Sequence, residues 1–169
     1  MSDLTYTRII SEDDVDICEL LQIYQMPDIS QYISIDNNNY FHYVTNTEDV
    51  YFYKIYKNEK LIGAIHLEKY ENLLYMGILI FPKFQRMGFA TKVIKDIQND
   101  IFKLNYKKIE ISIDERNIAS ITLFENTGFS FVSKEDELIN YVYQKTNSWP
   151  IPIGRTVRKI RIWQENNTM

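Results

Sequence analysis

Cysteine and histidine are almost missing from this 169-residue chain, which has Cys18, His42 and His66 and no others. A disulfide framework is excluded, and no spacing suits a structural or catalytic metal. Long apolar runs are also absent. The longest, residues 73–81, is far short of the roughly 20 residues that cross a bilayer. The first residues, Met1-Ser2-Asp3-Leu4-Thr5, lack the basic and then apolar pattern of a signal peptide. With a single thiol, the cytoplasm is the expected compartment. Positive charge is not in excess: 19 basic against 23 acidic side chains leave a net charge of −4. That argues against a nucleic-acid partner, because such proteins neutralise phosphates. A mildly acidic surface serves solubility and favours cationic partners, amines included. Glycine- or proline-rich linkers and internal repeats are absent as well.

What is present suits one soluble domain. Apolar residues make up 45%, aromatics 14% and charged residues 25%, which excludes a disordered chain. We expect a single domain over residues 1–148 and a C-terminal extension over 149–169, because Trp149-Pro150-Ile151-Pro152-Ile153-Gly154 interrupts regular structure. The extension mixes Arg155, Arg158, Lys159 and Arg161 with Val157, Ile160, Ile162 and Trp163. It suits an extra strand, packing on the domain or contact with a second subunit in a homodimer.

Residues 6–10 predict a strand, and Ser11 before three acids reads as a helix start. Ile17, Leu20, Leu21 and Tyr24 follow at helical spacing, with Cys18 read as a small buried hydrophobe. Pro27-Asp28 opens a short helix, and residues 40–44 suit either helix or strand. Residues 50–56, 61–67 and 73–81 read as three strands, the last apolar on both faces. An amphipathic helix extends from Phe89 through Val93, Ile94, Ile97 and Ile101 to Leu104. Alternation over 109–114 gives a strand, and residues 117–126 a helix closed by Thr127-Gly128. Residues 129–133 and 138–144 make a final antiparallel pair. This order predicts a mixed α/β (α+β) fold with helices on the faces of one sheet.

The informative stretch is Phe81-Pro82-Lys83-Phe84-Gln85-Arg86-Met87-Gly88-Phe89-Ala90-Thr91. A strand ends, a loop follows and a helix opens at a glycine. The first helical amides lack internal acceptors and, with the dipole, attract anions. Gly88 lets a backbone approach a ligand, and Arg86 adds charge. A triphosphate-binding loop is excluded, because its Lys-Ser/Thr is missing. An ordinary strand–loop–helix connection would use the same residues.

This segment resembles the acyl-CoA signature of the GCN5-related N-acetyltransferase (GNAT) family, Gln/Arg-x-x-Gly-x-Gly/Ala, through Gln85, Gly88 and Ala90. Asn117, Ser120, Glu125, Gly128 and Phe129 resemble the family's second signature, in the right order and spacing. That second match is similar to the branch acetylating ribosomal-protein N-termini and its small-molecule relatives. The resemblance spans roughly residues 5–145. It implies a GNAT-like acyltransferase fold with a mostly antiparallel sheet. It also implies acetyl-CoA as donor and no metal. In this family the strand bearing the first signature splays from its neighbour, so backbone groups near Leu79, Ile80 and Phe81 are expected to pair with the pantetheine arm. On the same resemblance, amides of Arg86, Met87, Gly88, Phe89, Ala90 and Thr91 are expected to hold the pyrophosphate. Asn117 stands near the thioester end; it is equally a good helix cap. Phe124 and Phe129 read as core.

The implied reaction is direct attack of a neutral amine on the thioester within a ternary complex. The amine belongs to a small molecule or to a protein N-terminus or lysine. It must lose a proton, and a carboxylate usually helps. Here the chain departs from many relatives. Tyr75 stands two residues before Gly77 where they carry Glu, and Phe124 stands where they carry a proton-donating Tyr. Ser112 fills a place others give to a carboxylate, and Glu110 shares its strand face. Glu110 is the candidate base or water-orienting residue, or else a solvated or ion-paired strand residue. Tyr75 is a candidate to position the acceptor. His66 and Glu68 share a face of the neighbouring strand and form a reserve pair. These departures also fit a non-catalytic acyl-CoA-binding or sensing domain.

Overall fold

The computed structural model describes residues 3–146. The expected extension over 149–169 lies outside the described residues. Seven strands form one sheet in the order β1-β2-β3-β4-β5-β7-β6. They are β1 (Thr5–Arg8), β2 (Val50–Lys57), β3 (Lys60–Tyr70), β4 (Leu73–Ile80), β5 (Lys108–Asp114), β6 (Ser130–Glu135) and β7 (Leu138–Gln144). All neighbours are antiparallel except β4 and β5, which are parallel. The parallel pair requires a crossover, and the amphipathic helix α4 (Phe89–Gln98) supplies it. The mixed sheet with helices on both faces agrees with the element order, and its mostly antiparallel pairing agrees with what the family resemblance implies.

Alternation along the strands sorts the core into two layers. Leu74, Met76, Ile109, Ile111 and Ile113 pack with Val93, Ile94 and Ile97 of α4 and with Phe124 of α5 (Ile118–Asn126). Val93, Ile94 and Ile97 are at most 1% exposed, so each contributes about 1.5–3 kcal/mol by burial. On the opposite face Phe52, Ala64 and Leu79 pack with α1 (Ile17–Tyr24), α2 (Pro27–Ser30) and α3 (Tyr40–Asn46). Phe124 and Phe129 are core residues, in edge-to-face contact.

Local corrections have physical causes. Cys18 is exposed. The buried stripe of α1 is Ile17, Leu20 and Tyr24, and position 18 turns away from it. Ser11 does not start that helix. Its hydroxyl accepts from the Asp13 amide in a turn, and α1 begins at Ile17. α4 stops at Gln98 although apolar spacing continues, because Asp100 and Lys103 take left-handed φ values of 54°. The Asp100 carboxylate then accepts from the Leu104 and Asn105 amides, and Ile101 is left exposed. Residues 40–46 are helical. No helix among the described residues is long and apolar enough to cross a membrane.

The acids before α1 have a separate use. Lys54 on β2 is 5% exposed, and its Nζ donates to Asp14 at 2.9 Å and Asp16 at 2.6 Å. Tyr56 also donates to Asp16. Burial alone would lower the Lys54 pKa, but the bonds to Asp16 and Asp14 overcome it and raise it. The Lys54 and Tyr56 bonds hold Asp16 below the usual carboxylate range. A depressed carboxylate contributes stability above its unfolded pKa, which is lost as pH falls through the folded one. Lys54→Met removes the charged donor to two partly exposed carboxylates and should cost about 1.5–3 kcal/mol at neutral pH in denaturant titrations. Asp16→Asn should flatten the acid-side fall in stability.

Candidate active site

The site begins where two strands stop pairing. β4 and β5 are in register at only three positions, Leu73 with Lys108, Leu74 with Ile109 and Tyr75 with Glu110. Beyond Tyr75 β4 continues to Ile80 against β3 alone, while β5 continues against β7. A wedge therefore opens between them. At its mouth lies a cavity of about 530 Å³, lined by β4, the 84–91 turn, the start of α5 and the α2 region.

Alternation decides which β4 groups face the wedge. The Phe81 amide donates to the Ile62 carbonyl on β3 at 2.9 Å. A Cβ on Gly63 would lie 2.2 Å from the Leu79 carbonyl oxygen, so that oxygen also points toward β3. Ile78 and Ile80 therefore present their backbone groups to the wedge. The Ile80 carbonyl accepts from Gln85 Nε2 at 2.9 Å, which ties the loop to the end of the strand. Of the three β4 positions expected from sequence, Leu79 and Ile80 line the cavity and Phe81 does not; Ile78 is added.

The turn then delivers amides. A single 3-10 turn, Pro82–Phe84, leads to Gly88, which caps α4 with φ 83°. A side chain there would be strained. The first intrahelical bond is from Lys92 to Gly88 at 3.1 Å, so the amides of Phe89, Ala90 and Thr91 lack helical acceptors. Arg86 and Gly88 are exposed and line the cavity with Phe89, Ala90 and Thr91. Met87 is exposed and lies outside the lining.

Across the wedge Asn117 caps α5, its Oδ1 accepting from the Ser120 amide at 3.2 Å, and it also lines the cavity. Arg116 hydrogen-bonds Asp114, whose carboxyl it holds below its ordinary range. The same guanidinium reaches the Gln31 carbonyl at 3.4 Å, joining the segment before α5 to the end of α2. That side, with Asp28, Ile29, Tyr32 and Ile33, had no motif in the sequence to mark it.

The closed end carries a row of side chains on the α1–α3 face. Register places Glu68 beside Tyr75, and Tyr75 beside Glu110. Tyr75 is 9% exposed. Glu110 is ion-paired with Lys108, and neither Tyr75 nor Glu110 lines the large cavity. Ser112 donates to Asn140 at 2.6 Å. No group of three or more His, Cys, Asp or Glu side chains among the described residues is placed to hold a metal.

A family profile described as an acetyltransferase (GNAT) domain matches residues 4–130. The chain belongs to the GNAT family of acetyltransferases. Membership makes it an N-acetyltransferase. No curated protein matches it significantly. Solved GNAT-like folds do. A domain from Methanocaldococcus jannaschii DSM 2661 aligns with TM-score 0.73 and 20% identity, covering 86% of this chain and 100% of that one. Spermidine N-acetyltransferase from Vibrio cholerae, in complex with CoA and spermine, aligns with TM-score 0.70 and 17% identity over 83% of this chain and 95% of that one. Campylobacter jejuni N-acetyltransferase PseH, in complex with acetyl coenzyme A, aligns with TM-score 0.69 and 10% identity over 85% and 100%. At these identities the likeness is one of fold. In this GNAT domain the Asn117 cap is a structural contribution that can be measured alone. Asn117→Ala should lower unfolding stability by about 1 kcal/mol and Asn117→Asp by much less, read by chemical denaturation.

Proposed function

We propose that this GNAT domain transfers the acetyl group of acetyl-CoA to the primary amine of a small molecule. The wedge past Tyr75 and Glu110, with the α4 amides at its mouth, carries this reading. In it the diphosphate rests on amides from Arg86 to Thr91, beside the Arg86 charge. The pantetheine arm runs back along β4 as an added strand, pairing with Ile78 and Ile80 and passing Leu79. About 3.3 Å per residue carries the thioester from the mouth toward Gly77. Asn117 flanks the arm from the far side.

The acceptor enters on the α1–α3 face, bordered by Tyr75 and Glu110. Its lone pair attacks the thioester carbon, the C–S bond breaks and the electron pair leaves on sulfur. Most of the acceleration comes from holding amine and thioester in line. The spermine bound in the Vibrio cholerae enzyme supports a small amine. A protein N-terminus or lysine would need the same open acceptor face. The unpaired thiol Cys18 fits a cytoplasmic setting.

A second reading, a non-catalytic acyl-CoA sensor, is favoured by one feature. Phe124 is buried and cannot donate a proton to the leaving thiolate. Thiol release from acetyl-CoA, tested with spermidine, an aminoglycoside, an arylalkylamine and a free-N-terminus peptide, separates the two. Turnover of a small amine is expected; tight CoA binding without turnover of any amine means a sensor. CoA at 100 times its Kd should stabilise the domain by about 2.7 kcal/mol. Gly88→Val should weaken CoA binding at least tenfold, about 1.4 kcal/mol, by titration calorimetry. Unchanged affinity would misplace the diphosphate.

A further inference from the structure

A chain of hydrogen bonds crosses the α1–α3 face where a core would ordinarily be apolar. Tyr40 on α3 and His66 on β3 are each 1% exposed. The Tyr40 hydroxyl is 2.8 Å from His66 Nδ1, and His66 Nε2 is 2.9 Å from Glu68 Oε1. Tyr43 on α3 donates to the same Oε1 at 3.2 Å. With the His66 proton assigned to Nε2, Tyr40 donates to Nδ1 and leaves its oxygen to accept from Tyr24, while Nε2–H and Tyr43 donate to the Glu68 carboxylate. Both donors hold Oε1. Oε2 has no hydrogen-bond partner among the described residues, and the Glu68 side chain is 20% exposed. Tyr40 and His66 are sealed from any amine, so Glu68 is the end of this chain that meets solvent.

Its position matters because of register. Glu68 is paired with Tyr75, the last β4 residue before the wedge, and is diagonal to Gly77, which carries no side chain on this face. The other carboxylate of the row, Glu110, is engaged through Oε1 by Lys108, as Glu68 is by His66; neither lines the large cavity, and Glu68 alone adjoins Gly77. The groups facing Glu68 are Tyr43 and Tyr40 from α3, His66 from its own strand, Tyr75 from β4, and the Glu110–Lys108 pair beyond. Val50, its partner on β2, is apolar.

We propose that Glu68 is the proton acceptor for the attacking amine, and that Tyr43 and the Tyr40–His66 pair are positioning residues that aim its Oε2. This deepens the acetyl-transfer reading and rests on it. The acceptor ammonium gives one proton to Oε2. The neutral nitrogen attacks the thioester carbon, the C–S bond breaks, and the second nitrogen-bound proton neutralises the departing thiolate. Glu68 then releases its proton to water.

The test uses the full chain, acetyl-CoA and the amine that turns over in the four-member panel. Glu68→Gln should lower kcat/KM about 100-fold near neutral pH, with unchanged CoA affinity and loss of the acid limb of the pH profile. Tyr43→Phe removes a donor to the carboxylate, so its acid limb should move to higher pH with a smaller loss in rate. If Glu68→Gln fails to fold, the Tyr43→Phe profile decides. A wild-type profile in the Glu68 variant, or in Tyr43→Phe where that variant must decide, overturns the proposal. So does loss of the limb in Glu110→Gln with its retention in Glu68→Gln. No turnover of any amine by the wild-type chain with CoA still bound defeats the transfer reading, and this proposal with it; turnover with a normal Glu68→Gln profile defeats this proposal alone.

Discussion

A sheet normally satisfies the backbone of every inner strand on both edges, because each unpaired buried N–H or carbonyl costs free energy. β4 is an inner strand that breaks this rule over half its length. It shares three register positions with β5 and then continues with one edge open. The break is held from both sides: β3 pairs β4 through Ile80, and β7 pairs β5 through Asp114. Neither strand can move to close the wedge without giving up its other partner. The open edge is thus a fixed feature of the fold.

The remaining parts of the site follow from that opening. Gly88 turns the chain at the mouth and starts α4, so the free amides of the helix face the same cavity as Ile78 and Ile80. Two layers then divide the work. The layer containing α4 and α5 packs Ile, Leu and Val with Phe89, Tyr106, Phe124, Phe129 and Tyr141, and it holds α4 against β4. The layer containing α1–α3 holds tyrosines, a buried histidine and partly exposed carboxylates. Polar groups inside a core are justified where each has a partner, and the described side chains leave no buried polar atom unsatisfied.

Much of the cavity wall was legible in the sequence because it depends on local signals. The apolar stripe of α4, the glycine at its start and the asparagine before α5 are short-range patterns, and residue chemistry dictates each. The row of side chains on the α1–α3 face was less legible. Its residues come from β3, β4 and β5, and only register brings Glu68, Tyr75 and Glu110 into one row. Alternation against β3, invisible in an apolar run such as 73–81, decides that Ile78 rather than Phe81 faces the wedge. The end of α4 was misjudged for a similar reason: Ile101 and Leu104 keep the helical spacing, while the Asp100 carboxylate binds the Leu104 amide and turns the chain.

The central claim, that an extended ligand completes the open edge of β4, is tested most directly by residue-resolved amide hydrogen exchange with and without saturating CoA. The account predicts that Ile78 and Ile80 amides exchange quickly in the free protein and become strongly protected when CoA binds, together with Phe89, Ala90 and Thr91. Bound CoA that leaves Ile78 and Ile80 unprotected would contradict it.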